Sequence, residues 1–319
     1  MKGISARDAG SVLVVTLLVS MLLASLTITF SEETGVELSL SGFFRDSSTA
    51  SQAARSGVQA VLAAMSEDKD REVDTLRDDW AMVGTASLPL EPMQEVSVTV
   101  KVTDESGKLN LNRLLNDKGE VDEDRARQLR RLFRILGLPE EKAEPLLDWL
   151  DGDGIERMNG AESGYYRGLE PAYACPNGEF QTLEQLHLVK GLGQQDLDEI
   201  QFGRNLRAFF TLHSDGKINI NTAPPEVLQS LSDRMDASAA EAIVEYRKTQ
   251  EFRQVNDLSK VPGMTQGVLT GTSQWLTVKS SALCIEGQGT YRDATCSVLA
   301  IAAREKDSAR TRLLYWQMR

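Results

Sequence analysis

Between Asp148 and Glu162 the chain reads Asp148-Trp149-Leu150-Asp151-Gly152-Asp153-Gly154-Ile155-Glu156-Arg157-Met158-Asn159-Gly160-Ala161-Glu162. Asp148, Asp151, Asp153, Glu156 and Glu162, with Asn159 among them, offer oxygen ligands only. With no His or Cys nearby, zinc is a poor match. Hard oxygens at irregular loop spacing suit Ca²⁺, which takes six to eight of them. Several carboxylates folded close together repel unless a cation holds them. Counted from Asp151 the acids fall at positions 1, 3 and 12 of an EF-hand loop, but Ile155 and Glu156 stand where that loop needs an oxygen side chain and a glycine. The expectation is therefore a distinct calcium loop holding one or two ions. A solvated acidic loop turned by its glycines is the competing reading.

Little else in the chain looks chemical. There is no G-x-S-x-G, no P-loop and no H-E-x-x-H, and the two histidines, His187 and His213, are isolated. An enzyme is not expected. The net charge of −12 repels phosphate backbones, so nucleic acid is not expected as a partner. The three cysteines Cys175, Cys284 and Cys296 allow one internal bridge. Cys284 and Cys296 flank Gly287-Gln288-Gly289, read as a hairpin turn, which makes them the disulfide candidate; three buried thiols are the alternative.

The acidic run sits inside an internal repeat. Lys108-Leu109-Asn110-Leu111-Asn112 recurs as Lys217-Ile218-Asn219-Ile220-Asn221; Ala143, Leu147 and Trp149 align with Ala240, Val244 and Tyr246; Glu179-Phe180, Leu186, Val189 and Gly191 align with Glu251-Phe252, Leu258, Val261 and Gly263. The offset falls from 97 at Trp149 to 72 at Glu179, so the first copy carries 25 extra residues, the acidic stretch among them. Each copy reads as a short strand, two or three helices, then a helix and a glycine turn resembling a helix-hairpin-helix module. Asn221-Thr222-Ala223-Pro224-Pro225-Glu226 reads as a helix start with a capping residue and an early proline. Leu183, Leu186 and Val189, like Val255, Leu258 and Val261, mark one buried helix face.

Around the repeats lie strands and a long stem. Glu95 to Val102 alternates apolar and polar residues; Trp275–Ile285 and Ala294–Ala303 read as two further strands, and Arg312–Trp316 as an edge strand. Ser11 to Phe30 is uncharged, and twenty helical residues reach roughly 30 Å, the hydrocarbon thickness of a bilayer. Lys2 and Arg7 precede it, which places the N-terminus in the cytoplasm and the bulk outside. Three readings compete: a secretory signal, with Ala24-Ser25-Leu26 a poor cleavage site; an uncut anchor; and a type IV prepilin-like leader cut between Gly10 and Ser11. The glycine directly before the apolar run favours the last. Val15 stands where most pilin-like proteins carry glutamate. Small residues from Ala50 to Ala64 continue the helix past the membrane, with a break expected near Gly35 or Gly42.

Taken in order, the Gly10 junction, Val15, Asp148-Trp149-Leu150-Asp151 with Asn159-Gly160-Ala161-Glu162 and Tyr165-Tyr166, and Lys217-Ile218-Asn219-Ile220-Asn221-Thr222-Ala223-Pro224 resemble the type II secretion system protein K family, the large minor pseudopilins. The resemblance covers nearly the whole chain. It implies an α+β, pilin-like fold: a long N-terminal helix and antiparallel sheet with a large inserted α-helical domain. The expected segments are leader 1–10, transmembrane 11–30, helix and first pilin-like part 31–107, inserted helical domain with the metal loop 108–216, and second helical repeat with C-terminal sheet 217–319. The resemblance further implies cleavage and N-methylation by prepilin peptidase, contact with the inner-membrane secretion platform, and calcium in the inserted domain. It implies a single-pass inner-membrane protein with its C-terminal domain in the periplasm, at the pseudopilus tip above minor pseudopilins I and J. A membrane-anchored helix-hairpin-helix protein acting on DNA is the alternative.

Overall fold

The computed structural model describes residues 6–68, 70–83, 87–89, 95–193, 195–196, 205–269, 271–305 and 311–319. Helix α1, Ala6–Glu67, is unbroken for 62 residues. Gly35 and Gly42 do not interrupt it, contrary to the sequence expectation. A lone glycine costs about 1 kcal/mol, too little to end a helix whose neighbours propagate it on both sides. Side chains from Leu13 to Phe30 all face outward. Their few hydroxyls donate within the helix, Ser20 to the Thr16 carbonyl at 2.8 Å and Thr27 to that of Leu23 at 2.7 Å, so a lipid surround would leave them satisfied.

The last third of α1 changes character. Ala50, Ala54, Val58, Val61 and Met65 are buried at three- and four-residue spacing, and this stripe lies on an antiparallel sheet. Its strands are β1 (Ser87–Pro89), β2 (Val96–Asp104), β7 (Ala282–Tyr291), β8 (Ala294–Arg304) and β9 (Thr311–Met318), in the order β1-β2-β7-β8-β9. Gly287 and Gly289 are not a turn. They lie inside β7, where a Cβ on Gly287 would stand 2.7 Å from the Ala54 carbonyl oxygen and one on Gly289 would collide with the Ala50 carbonyl. Alternate glycines in a strand here admit a helix backbone. The turn falls instead at Arg292-Asp293, with Arg292 at φ 53°.

That shift corrects the disulfide expectation. Cys284 pairs with Ile301, and Cys296 with Gly289. Five residues of strand, about 17 Å at 3.4 Å each, separate the two cysteines, far beyond the reach of a bridge, and Cys175, Cys284 and Cys296 are free thiols.

Between β2 and β7 the chain leaves the sheet and builds a second core. The first core unites α1 with the sheet; the second takes in Val73, then runs from Leu109 to Val278 and includes both repeats. Within 217–319 the second helical repeat, up to Val278, lies in the second core, and the strands from Leu283 onward supply the first. Since Ala50 meets Gly289 and Val58 meets Gly287, α1 climbs toward the Ala282 end of β7, and the inserted domain emerges there, away from the apolar stem.

The repeats are repeats in hydrogen bonding. In the first, strand β3 (Leu109–Asn110) pairs in parallel with β4 (Phe210–Thr211); in the second, β5 (Ile218–Asn219) with β6 (Leu276–Thr277). Asn112 donates to the Phe180 carbonyl (2.9 Å) and accepts from the Phe180 amide (2.8 Å); Asn221 does the same with Phe252 at 2.9 and 3.0 Å. Asn221 is thus spent on Phe252, and helix Pro225–Ser230 begins with Pro224 at its N-cap and no side-chain cap. Trp149 stacks on Phe180 at 5.8 Å and Tyr246 on Phe252 at 4.9 Å. The stripes with three-residue spacing are 3₁₀ turns, Leu183–Leu188 and Val255–Lys260, the geometry in which i and i+3 eclipse. Each is followed by a glycine at positive φ, Gly191 at 78° and Gly263 at 82°.

Candidate metal centre

Helix α4 (Ala143–Leu150) delivers the start of the acidic loop. Its buried face places Trp149 between Phe180, stacked, and Tyr166, edge-on at 5.4 Å. This aromatic floor fixes the neighbouring Asp148, which is fully buried. The helix stops at Asp151, whose amide bonds the Leu147 carbonyl at 3.1 Å. The loop then runs to the short helix α5, Ser163–Arg167.

Asp148 is held entirely by the loop it precedes. Its Oδ2 accepts from the amides of Ala161 (2.9 Å) and Arg157 (3.2 Å), and its Oδ1 from Arg157 Nη1 at 2.5 Å. A Cβ at position 160 would overlap Asp148 Oδ2, so only glycine lets the loop close over this carboxylate. The same Arg157 Nη1 lies 2.5 Å from Asp151 Oδ2.

Beyond Arg157 the charge is not matched. Carboxylate oxygens of Asp151, Asp153 and Glu162 come within 4.8 Å of one another. Asp151 Oδ1 and Glu162 Oε1 are buried without a hydrogen-bond partner, and so is Asn177 Oδ1. The Asn177 amide orientation is fixed by chemistry, because its Nδ2 donates to the Asp153 carbonyl at 2.7 Å. Burial raises the Asp151 carboxyl above its ordinary range; burial, then Asp148 and Asp151, raise that of Glu162. Orphaned anionic oxygens are costly, and a divalent cation removes that cost. The donor set is all oxygen. Cys175 is no rival ligand, since burial pushes its thiol up to about 11. The residues present therefore fit Ca²⁺.

Of the six residues singled out by sequence, three converge: Asp151, Asp153 and Glu162. Asp148 is engaged by Arg157 and two amides. Glu156 is exposed and faces Lys190 at 4.0 Å, and exposed Asn159 serves the chain reversal with φ 71°. Sequence reasoning missed Asn177, 15 residues past the last acid of the run. The only signal for it was its place inside the 25-residue insertion.

A second acidic group, Asp68, Asp74 and Asp78, lies where the two cores meet and already has its cation. Arg304 Nη2 is 2.7 Å from Asp68 Oδ2 and 2.8 Å from Asp74 Oδ1. The angle at Asp74 is too poor for a hydrogen bond, leaving Oδ1 without one, so that contact is one of charge alone. The lysines near the two glycine turns have partners as well: Lys190 donates to the Gly160 carbonyl at 2.7 Å and Lys260 pairs with Asp257 at 2.8 Å.

Comparison with known proteins agrees with this architecture. Residues 107–201 and 218–279 match two family models, each described as type II secretion system (T2SS), protein K. The chain is 33% identical over 199 residues to type II secretion system protein K of Pseudomonas aeruginosa, covering 61% of this chain and 56% of that protein. It is 30% identical to the protein of the same description from Dickeya chrysanthemi, over 49% of this chain and 44% of that protein. The chain thus spans about half the length of these two relatives. With the Pectobacterium carotovorum protein the match is 24% identical but longer, covering 86% of this chain and 88% of the relative. A chain of the crystal structure of the GspK-GspI-GspJ complex from the enterotoxigenic Escherichia coli type 2 secretion system superposes with a TM-score of 0.68 at 17% identity. It covers 89% of this chain and 99% of its own length, which establishes the same fold. Repeats, acidic insertion and fold agree: the chain belongs to the type II secretion system protein K family.

Proposed function

We propose that the protein is a minor pseudopilin at the tip of the type II secretion pseudopilus, where it initiates or caps assembly of the fibre that serves protein export across the outer membrane. One observation carries this reading: a single rod is both apolar stem and support of the sheet, and the bulky helical domain emerges from the sheet end away from the stem. A subunit of that shape stacks on partners through its stem and presents nothing for a further subunit to continue.

In this reading prepilin peptidase cuts between Gly10 and Ser11 on the cytoplasmic face and methylates the new N-terminus. The stem crosses the inner membrane once, beside the secretion platform, and the globular part lies in the periplasm. Minor pseudopilins I and J are its partners, as the neighbouring solved complex contains GspI and GspJ with GspK. Val15 suits a first subunit, which has none above it to meet a glutamate. The protein's role is assembly. Asp151, Asp153, Glu162 and Asn177 hold calcium, which supplies positive charge that lets their oxygens share one small volume. Asp148, Arg157 and Gly160 hold the loop around them.

Mass analysis of the mature N-terminus from membranes tests the processing: methylated Ser11 is expected, and an intact Met1 overturns it. Co-purification with both small pilin-like partners tests the assembly role, and loss of both on deletion of residues 11–30 is the expected result.

A further inference from the structure

The acidic loop contains a positive charge that the ligand pattern does not require. Asp148, Asp151, Asp153 and Glu162 together bring four negative charges to one small region. Two divalent ions would balance them. Arg157 is already inside, with Nη1 at 2.5 Å from both Asp148 Oδ1 and Asp151 Oδ2. Its backbone is pinned as well, the amide to Asp148 Oδ2 at 3.2 Å and the carbonyl to the Gly160 amide at 2.8 Å. Asp148 lies outside the group whose oxygens come within 4.8 Å. The carboxylates therefore fall into two halves that share Asp151. One is filled by the guanidinium. In the other, Asp151 Oδ1, Glu162 Oε1 and Asn177 Oδ1 are buried and unpaired.

We propose that Arg157 takes the place of a second divalent ion, so that this chain binds one ion, through Asp151, Asp153, Glu162 and Asn177, while Asp148 keeps a built-in counter-charge. This rests on the calcium reading of the loop. A fixed guanidinium beside Asp151 Oδ2 repels a second dication from that half and leaves Asp148 neutralised when the ion is gone. The Asp148 half of the loop then persists under chelation, and only the Asp153–Glu162–Asn177 half loosens.

The test is native mass spectrometry of the full chain in detergent, titrated with calcium chloride, for wild type, Arg157→Gln and Arg157→Lys. One ion is expected for wild type and for Arg157→Lys, and two for Arg157→Gln. Two ions on the wild type overturn the proposal and leave the calcium reading intact; none on the wild type ends both. A folded Arg157→Gln variant, judged by near-ultraviolet circular dichroism from the Trp149 cluster, that still takes one ion also overturns it. Should Arg157→Gln not fold, the wild-type count and amide exchange under chelator decide. Protection lost equally at the Arg157 and Ala161 amides and around Asp153 overturns the proposal; protection kept at Arg157 and Ala161 supports it.

Discussion

The two helical repeats do the same things with the same atoms and then part company. Each uses one asparagine to clip a distant phenylalanine, each stacks an aromatic ring on that phenylalanine, and each ties its 3₁₀ turn through a side chain accepting two amides. Gln185 accepts from Gln181 (2.7 Å) and Thr182 (3.4 Å), and Asp257 from Arg253 (3.0 Å) and Gln254 (3.1 Å). The difference lies in what is attached. The first repeat carries the acidic insertion. The second carries the joint to the sheet: Asn110 donates to the Ser214 carbonyl within the helical domain, whereas Asn219 reaches the Asp74 carbonyl and Asp104 Oδ2 at 3.1 and 3.0 Å. The two copies share a frame and differ at positions that the frame leaves free.

The comparison breaks most readily at the aromatic stacks. Trp149→Ala is expected to cost about 3–5 kcal/mol, because the ring is 2% exposed and underlies the acidic loop; Tyr246→Ala, at a half-buried ring, is expected to cost about 1–3 kcal/mol. Urea unfolding midpoints measure both, and equal losses would refute the asymmetry. Next comes ion removal. Holding free Ca²⁺ at about a hundred times the Kd is expected to stabilise by about 2.7 kcal/mol over chelator. Amide exchange should locate that loss around Asp153, Glu162 and Asn177, leave the Arg157 and Ala161 amides protected by Asp148, and leave 251–254 untouched.

A smaller effect sharpens the joint. Asn219→Ala should cost about 2–3 kcal/mol, since it strips buried Asp104 of a donor, and Asn110→Ala about 1 kcal/mol; thermal melts of the two variants give the order. Smallest at any one step is a pH slope. Burial raises the Asp74 carboxyl to about 7 against the opposing pull of Arg304. A carboxyl raised in the folded state contributes stability that is complete below its unfolded value, near 3.8, and lost as pH rises through about 7. Its contribution should therefore fall across pH 4–7.5, by at most about 1.4 kcal/mol per pH unit for one proton. Asp74→Asn should flatten that part of the stability–pH curve, and an unchanged slope would assign it elsewhere.

Much of this was legible in the residues. The repeat alignment placed Trp149 against Tyr246 and Phe180 against Phe252, and the stacks bear it out. What misled was glycine. Gly287 and Gly289 look like a turn locally, yet α1, more than two hundred residues earlier, demands them; the disulfide expectation fell with that turn. Gly35 and Gly42 looked like breaks because propensity was weighed without the cooperativity of a long helix. In the acidic loop the run of carboxylates points to a cation, but burial decides which of them come together: Asp151, Asp153 and Glu162. Asp148 lies on the inner face of α4 and meets Arg157, a pairing that no charge count along the chain reveals, and Asn177 arrives from a separate turn.

The rod seated against Gly287 and Gly289 has a mechanical consequence. At these two positions the strand presents no side chain, and the helix carbonyls of Ala54 and Ala50 come directly against its backbone. A push or twist delivered to the apolar end of α1 therefore reaches the strands at these two positions with little slack.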